Sequence, residues 1–100
     1  VKFFENYLEE ARVIKKKVSR FLRECEVFVF GSVVRGDYSP GLSDIDVAIV
    51  SDEFADRRKL EDVYDFLWEE YFNAPFEFHL LTRKKWNFYR RFIGEDYVKV

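Results

Sequence analysis

The sequence predicts one small α/β (α+β) domain over residues 1–100. The expected order is an α-β-β-α-β core with a small mixed sheet, helices packed on one face, and a C-terminal helix. Three observations predict it. Two helix-length stretches, Lys2 to Glu24 and Asp56 to Phe72, carry apolar residues at three-four spacing. Three short runs rich in β-branched and aromatic residues have strand length. The second helical stretch lies between two of those runs, which is the order of a right-handed parallel crossover.

Composition narrows the class. A chain of 100 residues makes one domain, with a core that has little to spare. With 48% apolar and 36% charged residues, it is expected to fold as a soluble globule rather than stay disordered. The net charge of −2 argues against general nucleic-acid binding through a basic surface. No apolar run approaches the roughly 20 residues of a membrane span, and no signal-peptide pattern opens the chain. Cys25 is the only cysteine, so no internal disulfide forms and a cytoplasmic setting is expected. The chain opens on Val1 and has no Met, so a trimmed start is expected. Gln and Met are absent while Glu, Lys and Arg abound, a balance that fits a thermophile. Twelve Phe and 20% aromatics exceed what a core this small needs, so some should mark a dimer or partner surface.

The elements follow in order. Lys2 to Glu24 reads as one helix with Phe4, Leu8, Ala11, Ile14, Val18, Phe21 and Leu22 inward. Lys15, Lys16, Lys17, Arg20 and Arg23 enrich its exposed side, either as a solvated face or as a rim for an anionic ligand. Glu26 to Phe30 is the first strand, with Cys25 as a small buried hydrophobe at its start. A loop follows, turned by Gly36, Pro40 and Gly41. Ile45 to Val50 is the second strand, with Ile45, Val47 and Ile49 on one face and Asp44, Asp46 and Ala48 on the other. Ser51 to Ala55 is loop. Asp56 to Phe72 is the second helix, with Leu60, Val63, Tyr64, Leu67 and Tyr71 inward, broken by Pro75. Phe76 to Leu81 is the third strand, which puts Glu77, His79 and Leu81 on the face of the aspartates. Thr82 caps a last helix from Arg83 to Ile93, whose first-turn Lys84 and Lys85 oppose the helix dipole. Gly94 stops it, and Tyr97 to Val100 is a tail or an added edge strand.

The chemistry concentrates in Gly31 to Asp46, which reads GSVVRGDYSPGLSDID. Gly31 has no Cβ, so a bulky anion can approach the backbone there. Ser32 adds a hydroxyl and its N–H. Asp44 and Asp46 have α-carbons roughly 6.5 Å apart on a strand, and their carboxylates, at about 5 Å, would repel by about 3 kcal/mol at an effective dielectric near 20. A bound cation relieves that repulsion, and hard oxygen ligands favour Mg²⁺ or Mn²⁺. Surface aspartates that merely open a strand are the plainer reading of the pair. The absence of GxxxxGK[ST] argues against an ordinary P-loop ATPase.

GSVVRG followed by SDIDVAIV resembles the signature of the DNA polymerase beta-like nucleotidyltransferase superfamily, and the short chain resembles the minimal nucleotidyltransferases of archaea and bacteria. The motif covers about a sixth of the chain. The resemblance implies the nucleotidyltransferase fold and transfer of a nucleoside monophosphate, AMP from ATP, to an acceptor hydroxyl with two Mg²⁺ ions, Mn²⁺ being the alternative. It implies that Asp44 and Asp46 hold both metals, and that a third carboxylate on a neighbouring strand holds the one nearer the acceptor. Glu77 is the acidic residue of the third strand and maps there, where aspartate is more usual. Gly31, Ser32 and Arg35 would meet the nucleotide phosphates. Arg35 could equally pair with Asp37 and fix the loop. His79 could support the ligands, touch substrate, or be a half-exposed strand residue. Asp37 reads as a turn residue, and Tyr38 as a cover for a base or as packing. The chain has no room for a separate acceptor domain. The resemblance therefore implies an acceptor brought by a partner, a HEPN-domain toxin tyrosine being the expected one. A binding module that acts by contact alone is the alternative.

Overall fold

The computed structural model describes residues 2–39 and 44–100. Four strands form one mixed sheet: β1 (Glu26–Phe30), β2 (Ile45–Val50), β3 (Phe76–Leu81) and β4 (Tyr97–Lys99), in the order β3-β2-β1-β4. β1 runs antiparallel to both β2 and β4, and β3 runs parallel to β2. The C-terminal residues are thus an edge strand. The turn expected at Pro40 and Gly41 lies outside the described residues.

Two layers of side chains hold the sheet. Val27, Val29, Ile45, Val47 and Ile49 share the face that meets α2 (Tyr7–Val18) and α4 (Arg57–Tyr71). These helices supply Ala11, Ile14, Val18, Val63 and Leu67, all almost fully buried. The opposite face carries Phe28, Phe30, Ala48, Val50 and Leu81, closed by Trp86 of α5 (Arg83–Ile93). Trp86 stacks on Phe28 with ring centroids 4.5 Å apart. The C-terminal helix therefore lies across the sheet from the other two long helices. It covers the end of the acidic face that carries Val50 and Leu81 and leaves the Asp46 and Glu77 end accessible.

The first helical stretch is shorter than its periodicity implies. A first turn, α1 (Lys2–Glu5), is separated from α2 at Asn6, and α2 ends at Val18. Ser19 Oγ donates back to the Lys15 carbonyl at 2.7 Å, and turns follow. The Glu53 carboxylate then accepts the backbone N–H groups of Arg23 at 2.8 Å and Glu24 at 3.0 Å. Those amides are bound from another element, so no helix is needed to satisfy them. Phe21 and Leu22 still point into the core from a turn, which keeps the apolar spacing without the helix.

The remaining caps follow local chemistry. Ser51 accepts the Glu53 N–H and opens a 3₁₀ turn at Asp52–Ala55, where a loop is expected from sequence. Asp56 accepts the Arg58 N–H and starts α4. Thr82 caps α5 through the Lys85 N–H, and Asp52 Oδ1 accepts the Arg83 N–H at 2.9 Å. That carboxylate offsets the unfavourable lysines of the first turn. Tyr64, expected to face inward, is exposed on α4 beside Trp68 and Phe72. On α5, Phe88 and Phe92 are also exposed. No helix among the described residues is long and apolar enough to cross a membrane.

Candidate metal and nucleotide site

The strand register assembles the site. Phe30, the last residue of β1, pairs with Asp46, and Asp46 pairs with Glu77. Asp46 and Glu77 therefore leave the same face on adjacent strands, and His79 follows two residues along β3. One ligand atom from each of Asp46, Glu77 and His79 lies within 4.8 Å of the other two. His79 Nε2 is 3.1 Å from Asp46 Oδ1.

Gly31 follows β1 directly and begins α3 (Ser32–Arg35), a four-residue helix inside the stretch expected to be loop. Its backbone, at φ +89° and ψ −152°, occupies a region that is essentially open to glycine only. A Cβ added there would stand 2.5 Å from Asp46 Oδ2. Asp46 thus has one carboxylate oxygen against His79 and the other against a position that must be glycine. The first helical N–H bonds of α3 are those of Val34 and Arg35 to the Gly31 carbonyl. The N–H groups of Ser32 and Val33 precede them and point forward from the helix start.

Electrostatics match the geometry. The Glu77 carboxyl is pushed above its usual value, first by desolvation, then by the charges of Asp46 and, more weakly, Asp44. Crowded carboxylates with a raised proton affinity accept a divalent cation in the proton's place. The donor set fits such an ion: two carboxylates and an imidazole within one ion's reach, beside a cradle that a Cβ would fill.

A cleft of about 340 Å³ adjoins this group. Gly31, Ser32, Arg35 and Asp46 line it from the sheet side, and α5 contributes Phe92 and Ile93. The structure thus gathers Gly31, Ser32, Arg35 and Asp46 around one cleft, with Glu77 beside Asp46. Asp44 is exposed just before β2, outside the three-residue group, and its charge acts on Glu77. Arg35 lines the cleft while its Nε donates to Asp37 Oδ2 at 3.2 Å, the loop contact expected from sequence. Tyr38 stacks on Phe4 at 5.0 Å, which is packing. The α5 wall is absent from the sequence reading; the surplus of aromatics in that helix is its signal, but spacing alone does not say which of them faces the cleft. The closeness of His79 to Asp46 has a signal too, in the Glu-x-His spacing on one strand face.

The nucleotidyltransferase domain family matches residues 11–100. The chain is similar to a solved structure provisionally named a nucleotidyltransferase, with 42% identity, 95% of this chain and 98% of the other covered, and a TM-score of 0.77. It also shares its fold with a provisionally named nucleotidyltransferase from Sulfolobus solfataricus, at 21% identity, with 98% of this chain and 82% of the other covered and a TM-score of 0.59. No curated protein matches the chain. From Ala11 to the last strand, with the Gly-Ser turn set against Asp46, the chain belongs to the nucleotidyltransferase domain family.

Proposed function

We propose that the chain transfers AMP from ATP to an acceptor hydroxyl and releases pyrophosphate, with divalent cations held by Asp46, Glu77 and Asp44. The observation that carries this reading is the close approach of Gly31 to Asp46, which sets a cleft of about 340 Å³ beside a group of side chains able to hold a cation. Ser32, the N–H groups at the start of α3 and Arg35 would bind the β- and γ-phosphates. Phe92 and Ile93 offer an apolar wall to the nucleoside. Bound Mg²⁺ or Mn²⁺, two ions in the full arrangement, would supply charge neutralisation at the attacking and leaving oxygens.

The acceptor oxygen attacks the α-phosphorus, and the bond to the bridging oxygen of pyrophosphate breaks. Glu77 takes the acceptor proton. Burial and the neighbouring Asp46 charge raise its proton affinity, which suits it to that role, and it stands on the site's open edge strand. Positioning and charge stabilisation supply the rest.

The acceptor comes from a partner. A tyrosine of a HEPN-type toxin is the proposed one, the transfer being an antitoxin activity. The supporting feature is an aromatic groove of about 340 Å³ beside β3, where Tyr64, Trp68, Phe72 and Phe78 meet Glu77. The same groove favours a second reading, a module that neutralises its partner by contact alone, or that pairs with a second copy.

Calorimetric titration of Mg·ATP into wild type and Asp46→Asn tests the first reading. Binding by wild type alone supports it. Equal binding by both, or none by either with the partner present, overturns it. Label from α-³²P-ATP should then appear on the partner with wild type and not with Asp46→Asn.

A further inference from the structure

His79 is the only histidine in the chain, and it sits within reach of both close carboxylates. We propose that His79 is a direct ligand of the site's cation through Nε2, and that this nitrogen makes the site select Mn²⁺ over Mg²⁺. The inference rests on the metal-dependent reading of the site and goes beyond it in assigning the ligand and the ion.

The ring is held for that role. Its strand neighbour on β2 is Ala48, whose small side chain leaves the imidazole room to lean toward Asp46. Phe30 packs against the ring at 5.1 Å and Tyr89 meets it at 5.6 Å, from two other elements. The side chain is only 18% exposed, so its polar edge is turned to the carboxylates rather than to water. The 3.1 Å separation of Nε2 from Asp46 Oδ1 would let both atoms reach one ion. Without a cation, the same contact is a hydrogen bond from Nε2–H. A cation there would be held by the Nε2 lone pair, with the ring proton kept on Nδ1.

The nitrogen decides the ion. Mg²⁺ prefers an all-oxygen octahedron and keeps its waters. First-row transition ions accept imidazole, and Mn²⁺ among them also accepts carboxylate and phosphate oxygens. Two carboxylates and one imidazole therefore suit Mn²⁺ better than Mg²⁺.

The test uses tag-free protein loaded with Mn²⁺ alone and pulsed EPR. Because the chain has a single histidine, any imidazole ¹⁴N coupling belongs to His79. The expected result is such a coupling in wild type, absent in His79→Gln. Calorimetry should show Mn²⁺ affinity falling by about tenfold or more in His79→Gln, with Mg²⁺ affinity nearly unchanged. The wild-type spectrum needs no variant, so misfolding of His79→Gln, checked by circular dichroism, does not spare the inference. Mn²⁺ bound without nitrogen coupling, or equal weakening of both ions, would make His79 a positioning residue for Asp46 and overturn the inference alone. No Mn²⁺ uptake at all would overturn the metal-dependent reading with it.

Discussion

Replacing Gly31 by Ala probes the join between the Gly31 turn and the acidic group. Two costs arise from one methyl. The backbone conformation at φ +89°, ψ −152° becomes strained by about 1–3 kcal/mol for a residue with a Cβ. The Cβ also falls 2.5 Å from Asp46 Oδ2, so the carboxylate must leave its rotamer, at about 1 kcal/mol more. The sum is roughly 2–4 kcal/mol. For a domain of this size that lowers the melting temperature by about 10–25 °C. Gly36 is the internal control. Its φ of +85° is strained for alanine too, by about 1–2 kcal/mol, but nothing lies within 4 Å of its Cβ position. Thermal unfolding followed by circular dichroism, with Mg·ATP calorimetry on each variant, separates the two effects. Gly31→Ala should lose more stability than Gly36→Ala and should also lose Mg·ATP binding, because Asp46 is displaced. Gly36→Ala should keep binding. Equal destabilisation, with binding intact in Gly31→Ala, would refute the claim that this glycine exists to seat Asp46.

Three further outcomes are expected. The Glu77 carboxyl is raised above its unfolded value of 4.5, so its contribution is fully present below pH 4.5 and is lost as pH rises through the folded value; cation-free protein should lose stability across that window, and Mn²⁺ or Glu77→Gln should flatten the slope in pH-dependent melting curves. Glu53 behaves oppositely: the backbone N–H of Glu24 chiefly, then that of Arg23, hold its carboxyl below 4.5, so its contribution is present above pH 4.5 and lost as pH falls through the folded value, and Glu53→Gln should melt lower at neutral pH with a shallower acid limb. Trp86→Ala should cost about 3–5 kcal/mol in urea unfolding, because Trp86 is 1% exposed and is the fully buried anchor of α5 on the sheet; hydrogen exchange should quicken in α5 before α4.

Much of the fold was legible because strand and helix periods were clean. β1, β2 and β3 fall on their expected residues, and Asp56 and Thr82 announce the starts of α4 and α5. The early end of α2 was not legible. It depends on Glu53, some thirty residues away, taking the amides that a helix would otherwise bind. The position of α5 was hidden for a different reason. Spacing gives a helix an apolar side but does not say which face of a sheet it will meet. The run Val27 to Phe30 buries both its valines and its phenylalanines, and that needs cover on both faces. At the site, the glycine and Asp46 follow from motif and strand parity. The shared face of His79 also follows from strand parity, but its reach to Asp46 depends on the exact register of β2 and β3, which parity does not fix.

The proposed function requires Asp46 and Glu77 to hold a cation beside a nucleotide seated on the Gly31 turn. A crystal structure of the chain with Mn²⁺ and a non-hydrolysable ATP analogue tests it most directly. An anomalous scattering peak bonded to carboxylate oxygens of both Asp46 and Glu77, with the analogue's terminal phosphates on Ser32, is the expected result. A nucleotide bound elsewhere, or a peak that touches neither carboxylate, would contradict it.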